Sequence, residues 1–201
     1  YKGIKGFQVQ TRTEDPSEPI VGDFYYNSST GQFKTVNSGT GSWASGGNFP
    51  GPYYLSGSSG GTTTAGWTAA GALSGSYINE SYEYDGTSWG SSVNMNRGVG
   101  GYAGGCGPQA AGIAVSGYQA APPAGDTTDC ETYNGSSWTS IAGLPAARKE
   151  NTTGGTSGAA LAAGGAVPSA TAEYFVWNGS SWTDSGNINT ARSNANAGNG
   201  I

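Results

Sequence analysis

Four carboxylates stand close enough along the chain to act in pairs: Glu80 with Glu83, and Asp129 with Glu131. Two carboxyl groups flanking a glycosidic bond can hydrolyse it, one as acid and one as base or nucleophile. Side chains two residues apart share a face of a strand, and those three apart do not. Asp129 and Glu131 are therefore the better spaced pair. They also flank a strand carrying an aromatic, where solvated edge positions account for them without catalysis. The chain has no histidine, which removes Ser-His-Asp and Cys-His mechanisms and histidine ligation of metals. A phosphate loop of the form Gly-x-x-x-x-Gly-Lys-Ser/Thr is also missing from the sequence. Cys106 and Cys130 lack zinc spacing and read as two small buried hydrophobes in neighbouring strands. If paired instead, they would close a loop worth roughly 3 kcal/mol. The expectation is a protein that is not an enzyme and needs no cofactor or metal.

The elements that position these residues are read from one phrase repeated three times. Tyr84-Asp85-Gly86-Thr87-Ser88-Trp89, Tyr133-Asn134-Gly135-Ser136-Ser137-Trp138 and Trp177-Asn178-Gly179-Ser180-Ser181-Trp182 each place Asp-Gly or Asn-Gly between two aromatics. That pattern predicts a hairpin with a tight two-residue turn at positive φ. The closing tryptophans lie 49 and 44 residues apart, and Trp43 precedes Trp89 by 46. A period of this length, with one hairpin in each, implies an all-β repeat array.

The correspondence extends past the hairpin. An arginine follows each tryptophan: Arg97 after Trp89, Arg148 after Trp138, Arg192 after Trp182. Next comes a glycine-rich strand containing Gly104-Gly105 or Gly154-Gly155. A small-residue strand follows, in Gly66-Trp67-Thr68-Ala69-Ala70-Gly71, Gly112-Ile113-Ala114-Val115-Ser116-Gly117 and Ala160-Leu161-Ala162-Ala163-Gly164-Gly165. A variable loop then leads to the hairpin aromatic. This order of four short strands resembles the kelch family of β-propellers across residues 41–201. The boundaries are about 41–89, 90–138, 139–182 and a partial 183–201, so about three periods make an incomplete array. The first repeat has Phe49-Pro50-Gly51-Pro52-Tyr53 in place of the arginine, and the glycine doublet is complete only at Gly164-Gly165. The resemblance implies that Trp43, Trp89, Trp138 and Trp182 pack between neighbouring sheets, with Tyr84, Tyr133 and Trp177 as their hairpin partners. Arg97, Arg148 and Arg192 would bond the carbonyls of adjacent turns. Copper oxidases built on such propellers need histidine, so that chemistry is excluded here.

Composition agrees with this architecture. Glycine supplies 37 of 201 residues and charged residues only 10%, which suits short strands and close backbone packing rather than helices or a disordered polyelectrolyte. The net charge is −5 and the eight Lys and Arg are scattered. A phosphate-tracking nucleic-acid surface is not expected. No apolar run approaches the roughly 20 residues of a membrane span. Five Asn-x-Ser/Thr sequons, at Asn27, Asn79, Asn134, Asn151 and Asn178, follow from turn chemistry rather than from glycosylation.

Residues 1–40 stand outside the repeat and hold Lys2, Lys5, Arg12 and Lys34, half of the positive charges. Within them, Gly22-Asp23-Phe24-Tyr25-Tyr26-Asn27-Ser28-Ser29-Thr30-Gly31-Gln32-Phe33-Lys34 reads as an aromatic-rich hairpin around a polar turn. A lone hairpin is marginal in water, so it is expected to dock, with Asp23, Tyr25, Tyr26, Asn27 and Phe33 as its attachment residues. This segment resembles the hairpin module of tailed-bacteriophage fibre and appendage proteins. Glycine-rich, kelch-like repeats behind such a module are similar to virion proteins of marine phages. The resemblance implies an exposed structural component of a virion, a tail fibre or head appendage. Its partners would be other virion proteins, further copies of itself (a trimer by analogy) and a host-surface glycan met by residues 55–65, 118–126 and 167–172. The alternatives are a secreted or cell-surface propeller adhesin and, less readily, a glycan depolymerase. The natural chain is expected to extend further than these residues.

Overall fold

In a computed structural model, residues 10–17, 24–35, 46–52, 57–73, 75–97, 103–119 and 124–194 are described. They are built from strands, with one turn of 3-10 helix at Gln109–Ala111. Trp43 and Asp23 lie outside the described residues. The chain divides into an N-terminal unit, residues 1–45, and a repeat unit, residues 46–201.

In the N-terminal unit, β1 (Gln10–Arg12) pairs in parallel with β2 (Phe24–Asn27), which pairs antiparallel with β3 (Gln32–Thr35). The β2–β3 hairpin is the one the aromatic spacing predicts. Strand β1 has no signal in the sequence.

The repeat unit holds three antiparallel meanders of four strands each. The first comprises β4 (Ser58–Thr62), β5 (Ala65–Leu73), β6 (Ser76–Tyr84) and β7 (Trp89–Ser91). The second comprises β8 (Gly104–Cys106), β9 (Gly112–Gln119), β10 (Gly125–Tyr133) and β11 (Trp138–Ile141). The third comprises β12 (Thr152–Thr156), β13 (Ala159–Ala163), β14 (Thr171–Trp177) and β15 (Trp182–Arg192).

The leading strands of the meanders stack on one another, and glycine makes this possible. A Cβ on Gly105 of β8 would lie 2.5 Å from the Ser59 nitrogen on β4. A Cβ on the adjacent Gly104 would lie 2.4 Å from Thr153 Cγ2 on β12. Strand β8 thus runs between β4 and β12 at near backbone contact, and Ser58 Oγ donates to the Gly104 carbonyl at 2.7 Å. The second sheet is buried on both faces. Ala114, Tyr133 and Trp138 pack with Trp67 and Ala69 of the first sheet. Ile113, Val115, Cys106 and Cys130 pack with Ala160, Ala162, Phe175 and Trp182 of the third. Both cysteines are free and buried, and burial pushes each thiol up to about 11.

Two local readings need correction. The repeated hairpin loop is four residues long, not two: Tyr84 pairs with Trp89, Tyr133 with Trp138 and Trp177 with Trp182. Asp85, Asn134 and Asn178 close their loops by accepting the backbone N–H groups two and three residues on. Only the glycine, at φ 94°, 91° and 92°, is left-handed. This is an Asx turn, in which a side-chain oxygen does the work of a second strained residue. The glycine doublets also shift. Pairing of Ser58 with Ala69, Gly104 with Val115 and Thr152 with Ala163 sets Gly104-Gly105 opposite Thr152-Thr153, not opposite Gly154-Gly155. The position that requires glycine is Gly61, Gly107 and Gly155, at φ 104°, 93° and 111°, where a Cβ would lie 2.3 Å from a carbonyl oxygen.

The doublet that closes the second strand requires two successive left-handed residues. Gly164-Gly165 adopts them freely, whereas Ala70 (φ 62°) and Ser116 (φ 54°) hold the first position against steric cost. Ser116 Oγ is also buried without a partner. Replacing Ser116 by glycine relieves both, against the greater chain entropy of glycine when unfolded. Ser116→Gly is expected to stabilise the fold by about 1 kcal/mol, and Gly105→Ala to cost about 1–3 kcal/mol by overpacking. Urea unfolding followed by tryptophan fluorescence checks both signs.

Candidate functional site

Of the four paired carboxylates, Glu83, Asp129 and Glu131 are taken up at the joints between sheets and Glu80 within its own strand. Glu83, on the face of the first sheet turned to the second, accepts the Tyr133 hydroxyl at 2.6 Å. Glu80 accepts the Tyr82 hydroxyl of its own strand at 2.8 Å. Asp129 pairs with Arg97. Glu131 is only 2% exposed and accepts the Asn96 backbone N–H at 3.0 Å and its side-chain amide at 3.2 Å. Burial raises its pKa, opposed by Asn96 and by the charge on Arg97. A carboxyl so enclosed meets no polysaccharide, and a bulge between Thr127 and Cys130 takes Asp129 out of register with it.

Arg97 and Arg148 dock their linkers onto the sheet that follows. Arg97 donates to Thr127 Oγ1 at 2.7 Å and to the Asp129 carbonyl at 3.3 Å. Arg148 is wholly buried, donates to the Gly164 carbonyl at 3.0 Å and to Glu173 at 2.7 Å, and lies 4.2 Å over the Phe175 ring. Phe49 takes the corresponding place in the first sheet, its ring 5.2 Å from Tyr82. Arg192 is exposed and reaches only the Thr190 carbonyl, at 3.4 Å.

The tryptophans occupy the same joints. Trp138 stands edge-on to Trp67 at 5.5 Å and points its Nε1 at Ser81 Oγ, 3.4 Å away. Trp67 donates to the Gly107 carbonyl of the second sheet at 3.0 Å. Trp182 lies in the cluster with Cys130. Trp89 is half-buried and meets Phe49 at 5.2 Å. Tyr84, Tyr133 and Trp177 each pair with the tryptophan across the hairpin, at 5.2, 4.8 and 5.4 Å.

Each meander has two ends. One carries the Asx turns. The other carries the β5–β6, β9–β10 and β13–β14 loops with the linkers, and it gathers groups of mixed chemistry from all three repeats. Tyr77, at the start of β6, meets Tyr118, at the end of β9, with ring centroids 5.7 Å apart. Lys149, in the linker to the third sheet, lies 5.4 Å above the Tyr118 ring and 3.5 Å from Asp126. All four are half-buried. Val167, 44% exposed, leads the β13–β14 loop, which Lys149 tethers by its backbone bonds to Ala166. Aromatic faces beside a fixed cation and anion suit a neutral, hydroxyl-rich ligand: rings stack on its apolar face, and charged groups bond its hydroxyls. Residues 118–126 and 167–172 of the variable loops fall at this end, although 120–123 lie outside the described residues. Nothing in the sequence singles out Tyr77 and Lys149, since they come from different repeats and share no spacing.

The β2–β3 hairpin has two unlike faces. Tyr25 and Asn27 are buried, and both donate to Asp15, at 3.0 and 2.8 Å, as does Lys34. These bonds, that from Lys34 foremost, lower the Asp15 carboxyl to about 2. Asn27 also closes the turn, accepting from Ser29 and Thr30 at 3.0 Å. On the other face Phe24 and Phe33 stack at 5.5 Å while 55% and 64% exposed, and Tyr26 tilts against Phe33. Among the described residues no group of His, Cys, Asp and Glu could hold a metal, and no helix is long and apolar enough to cross a membrane. No protein-family model and no curated protein matches this chain.

Two measurements test these assignments. Arg148→Ala removes a buried cation, its ring contact and two hydrogen bonds, and is expected to cost about 2–4 kcal/mol. Arg192→Ala should stay within about 0.5 kcal/mol, as for other exposed positions. Chemical denaturation of the two variants separates them. Glu131 has a folded pKa above its unfolded value, so it favours folding below that unfolded value and this contribution is lost as pH rises through the folded one. Glu131→Gln is expected to flatten the stability profile as pH rises above the ordinary glutamate range, and to raise stability at neutral pH. Urea midpoints across that range give the comparison.

Proposed function

We propose that this protein is a non-enzymatic, exposed virion component of a tailed bacteriophage, a tail fibre or head appendage that attaches by its N-terminal unit and binds host-surface glycan through its repeats. The observation that carries the reading is the loop end of the array, where Tyr77, Tyr118, Lys149 and Asp126 from successive repeats form one surface. The sheets are read as kelch-like blades of a propeller. Support comes from the stacked leading strands, the recurrent tryptophan at each joint and the linker arginine docked on the following blade. For attachment, the exposed Phe24 and Phe33 face offers an apolar seat of the kind that docking surfaces use. Several copies per particle, a trimer by analogy with fibres, would turn weak sugar contacts into avid binding.

Quantitative mass spectrometry of density-purified particles is the direct test. Peptides of this chain at a fixed stoichiometry are expected. Their absence from particles overturns the virion reading and favours the secreted adhesin, which would use the same surface. Binding is tested on arrays of bacterial envelope polysaccharide. Tyr118→Ala combined with Lys149→Ala is expected to lower retention at least tenfold, while Ser136→Ala on the opposite end leaves it unchanged. Release of sugar from the polysaccharide by the purified protein would favour the depolymerase instead.

A further inference from the structure

Each sheet of the repeat unit turns one face toward the next sheet in the chain, and the same positions recur on it. In the first sheet they are Trp67, Ala69, Ser81 and Glu83. In the second they are Ile113, Val115, Cys130 and Thr132. In the third they are Leu161, Ala163, Tyr174 and Val176. The equivalence follows from strand register: Trp67 pairs with Glu83, Ile113 with Thr132 and Leu161 with Val176 across their strands. On the first two sheets this face is sealed, with Trp67 at 2% and Ile113 at 0% exposure. On the third, Ala163 is 6% exposed and Tyr174 half-buried, but the outer part of the face is open, with Leu161 at 40% and Val176 at 39%.

What seals it is also consistent. The tryptophan that closes the following hairpin inserts against the third strand, Trp138 at Ser81 and Trp182 beside Cys130. The following sheet also sets Tyr133 on Glu83. The linker shows where the chain goes after the third sheet. Glu150, two residues after Arg148, is left-handed at φ 60°, and Asn194, two residues after Arg192, is left-handed at φ 53°. Asn194 stacks on its counterpart, its backbone N–H donating to the Glu150 carbonyl at 3.1 Å and its side chain to the Glu150 carboxylate at 3.1 Å. The chain therefore leaves the third sheet by the same turn through which it left the second. At the opposite end, residues 46–49 strap the first sheet. A Cβ on Gly46 would lie 3.2 Å from Tyr84 Oη, a Cβ on Gly47 2.7 Å from the Thr87 carbonyl, and Phe49 covers Tyr82 and Trp89. Head-to-tail seating of a second copy would have to displace that strap.

We propose that the open face of the third sheet, centred on Leu161 and Val176, is the seat of a fourth sheet of this same repeat, entered by the chain through Arg192, Ser193 and Asn194. Its occupant carries a glycine-rich leading strand, a hairpin tryptophan that packs at Tyr174, and an acidic residue on its third strand that pairs with Arg192. The inference rests on the joints between sheets and stands apart from the virion reading.

The test uses thiol reactivity, because Cys106 and Cys130 are buried and form a silent background. Leu161→Cys is placed in the chain of residues 1–201, and in a chain whose residues after Asn194 are replaced by a second copy of residues 151–194. In residues 1–201 the new thiol is expected to react with Ellman's reagent as an exposed one. In the extended chain its rate should fall at least tenfold, and that of Val176→Cys likewise, while Ser180→Cys on the exposed turn keeps its rate. An unchanged rate for Leu161→Cys in the extended chain overturns the proposal. So does an appended sheet that remains unfolded, its amides exchanging freely beside protected parent sheets. Protection of the Leu161→Cys thiol in the unextended chain as its concentration rises, with a dimer in sedimentation, would assign the face to a second copy and overturn the proposed occupant.

Discussion

The stacking of β4, β8 and β12 is the constraint from which the rest of the repeat unit follows. Three strands approach until a single methyl group on Gly104 or Gly105 would collide with a neighbouring strand. At that separation side chains cannot fill the space, so the sheets diverge outward and large residues enter only where the gap widens. Glycine and small residues lead, alanines and β-branched residues predominate on the second strand (Trp67 being the large exception), and most aromatics arrive on the third and fourth. The size gradient along each meander is thus a consequence of one close approach. It also explains why so glycine-rich a chain folds: the entropy that glycine costs is offset by tight burial of backbone that is already hydrogen-bonded in strands.

Given that spacing, every joint faces the same problem, and the three repeats solve it with different chemistry. Tyr82, Glu131 and Phe175 occupy one position on the third strand. Above them lie Phe49, Arg97 and Arg148, giving an edge-on aromatic pair, a charge near a buried carboxylate, and a cation on a ring. Ser81 and Cys130 likewise receive the incoming tryptophan, one by its hydroxyl and one among apolar neighbours. What is held constant is volume and the filling of the wedge, while the polar pairing drifts. That tolerance is expected where packing supplies most of the free energy and a surface-proximal ion pair adds little.

The sequence made the strand order legible because the features that recur are those the joints demand. Tyr or Trp, four residues, Trp and then Arg mark the third strand, the fourth strand and the linker, and the spacing places all three sheets. The aromatic hairpin near the N-terminus was legible for the same reason. Finer conformation was not. Asp85, Asn134 and Asn178 close their turns with side-chain oxygens, so the Asn-Gly letters that signal a two-residue turn describe a four-residue one here. Which glycine is obligatory also escapes a letter count, since Gly107 needs its left-handed φ and Gly104 needs only the absence of a side chain. The loop-end surface was hidden for a topological reason. Tyr77, Tyr118 and Lys149 come from three elements whose ends meet only once the sheets have stacked.

Charge in this chain is scarce, and its placement bears on what the protein can do. Of the thirteen acidic residues, Glu80, Glu83, Asp129, Glu131 and Glu173 are engaged inside sheets or at the joints between them, and Asp15 ties the N-terminal hairpin to its flanking strand. Arg97 and Arg148 are committed to linkers. A carboxylate that locks a joint is held by partners it cannot release without loosening the sheets, which makes it a poor acid or base for a reaction cycle. Lys149 and Asp126 differ, since both stand at the loop end, partly open and beside aromatic rings. Charge used internally for order and sparingly at one edge, next to tyrosine, is the distribution that the proposed recognition surface would require: a rigid scaffold, little long-range field, and a few polar groups whose geometry is fixed in advance of any ligand.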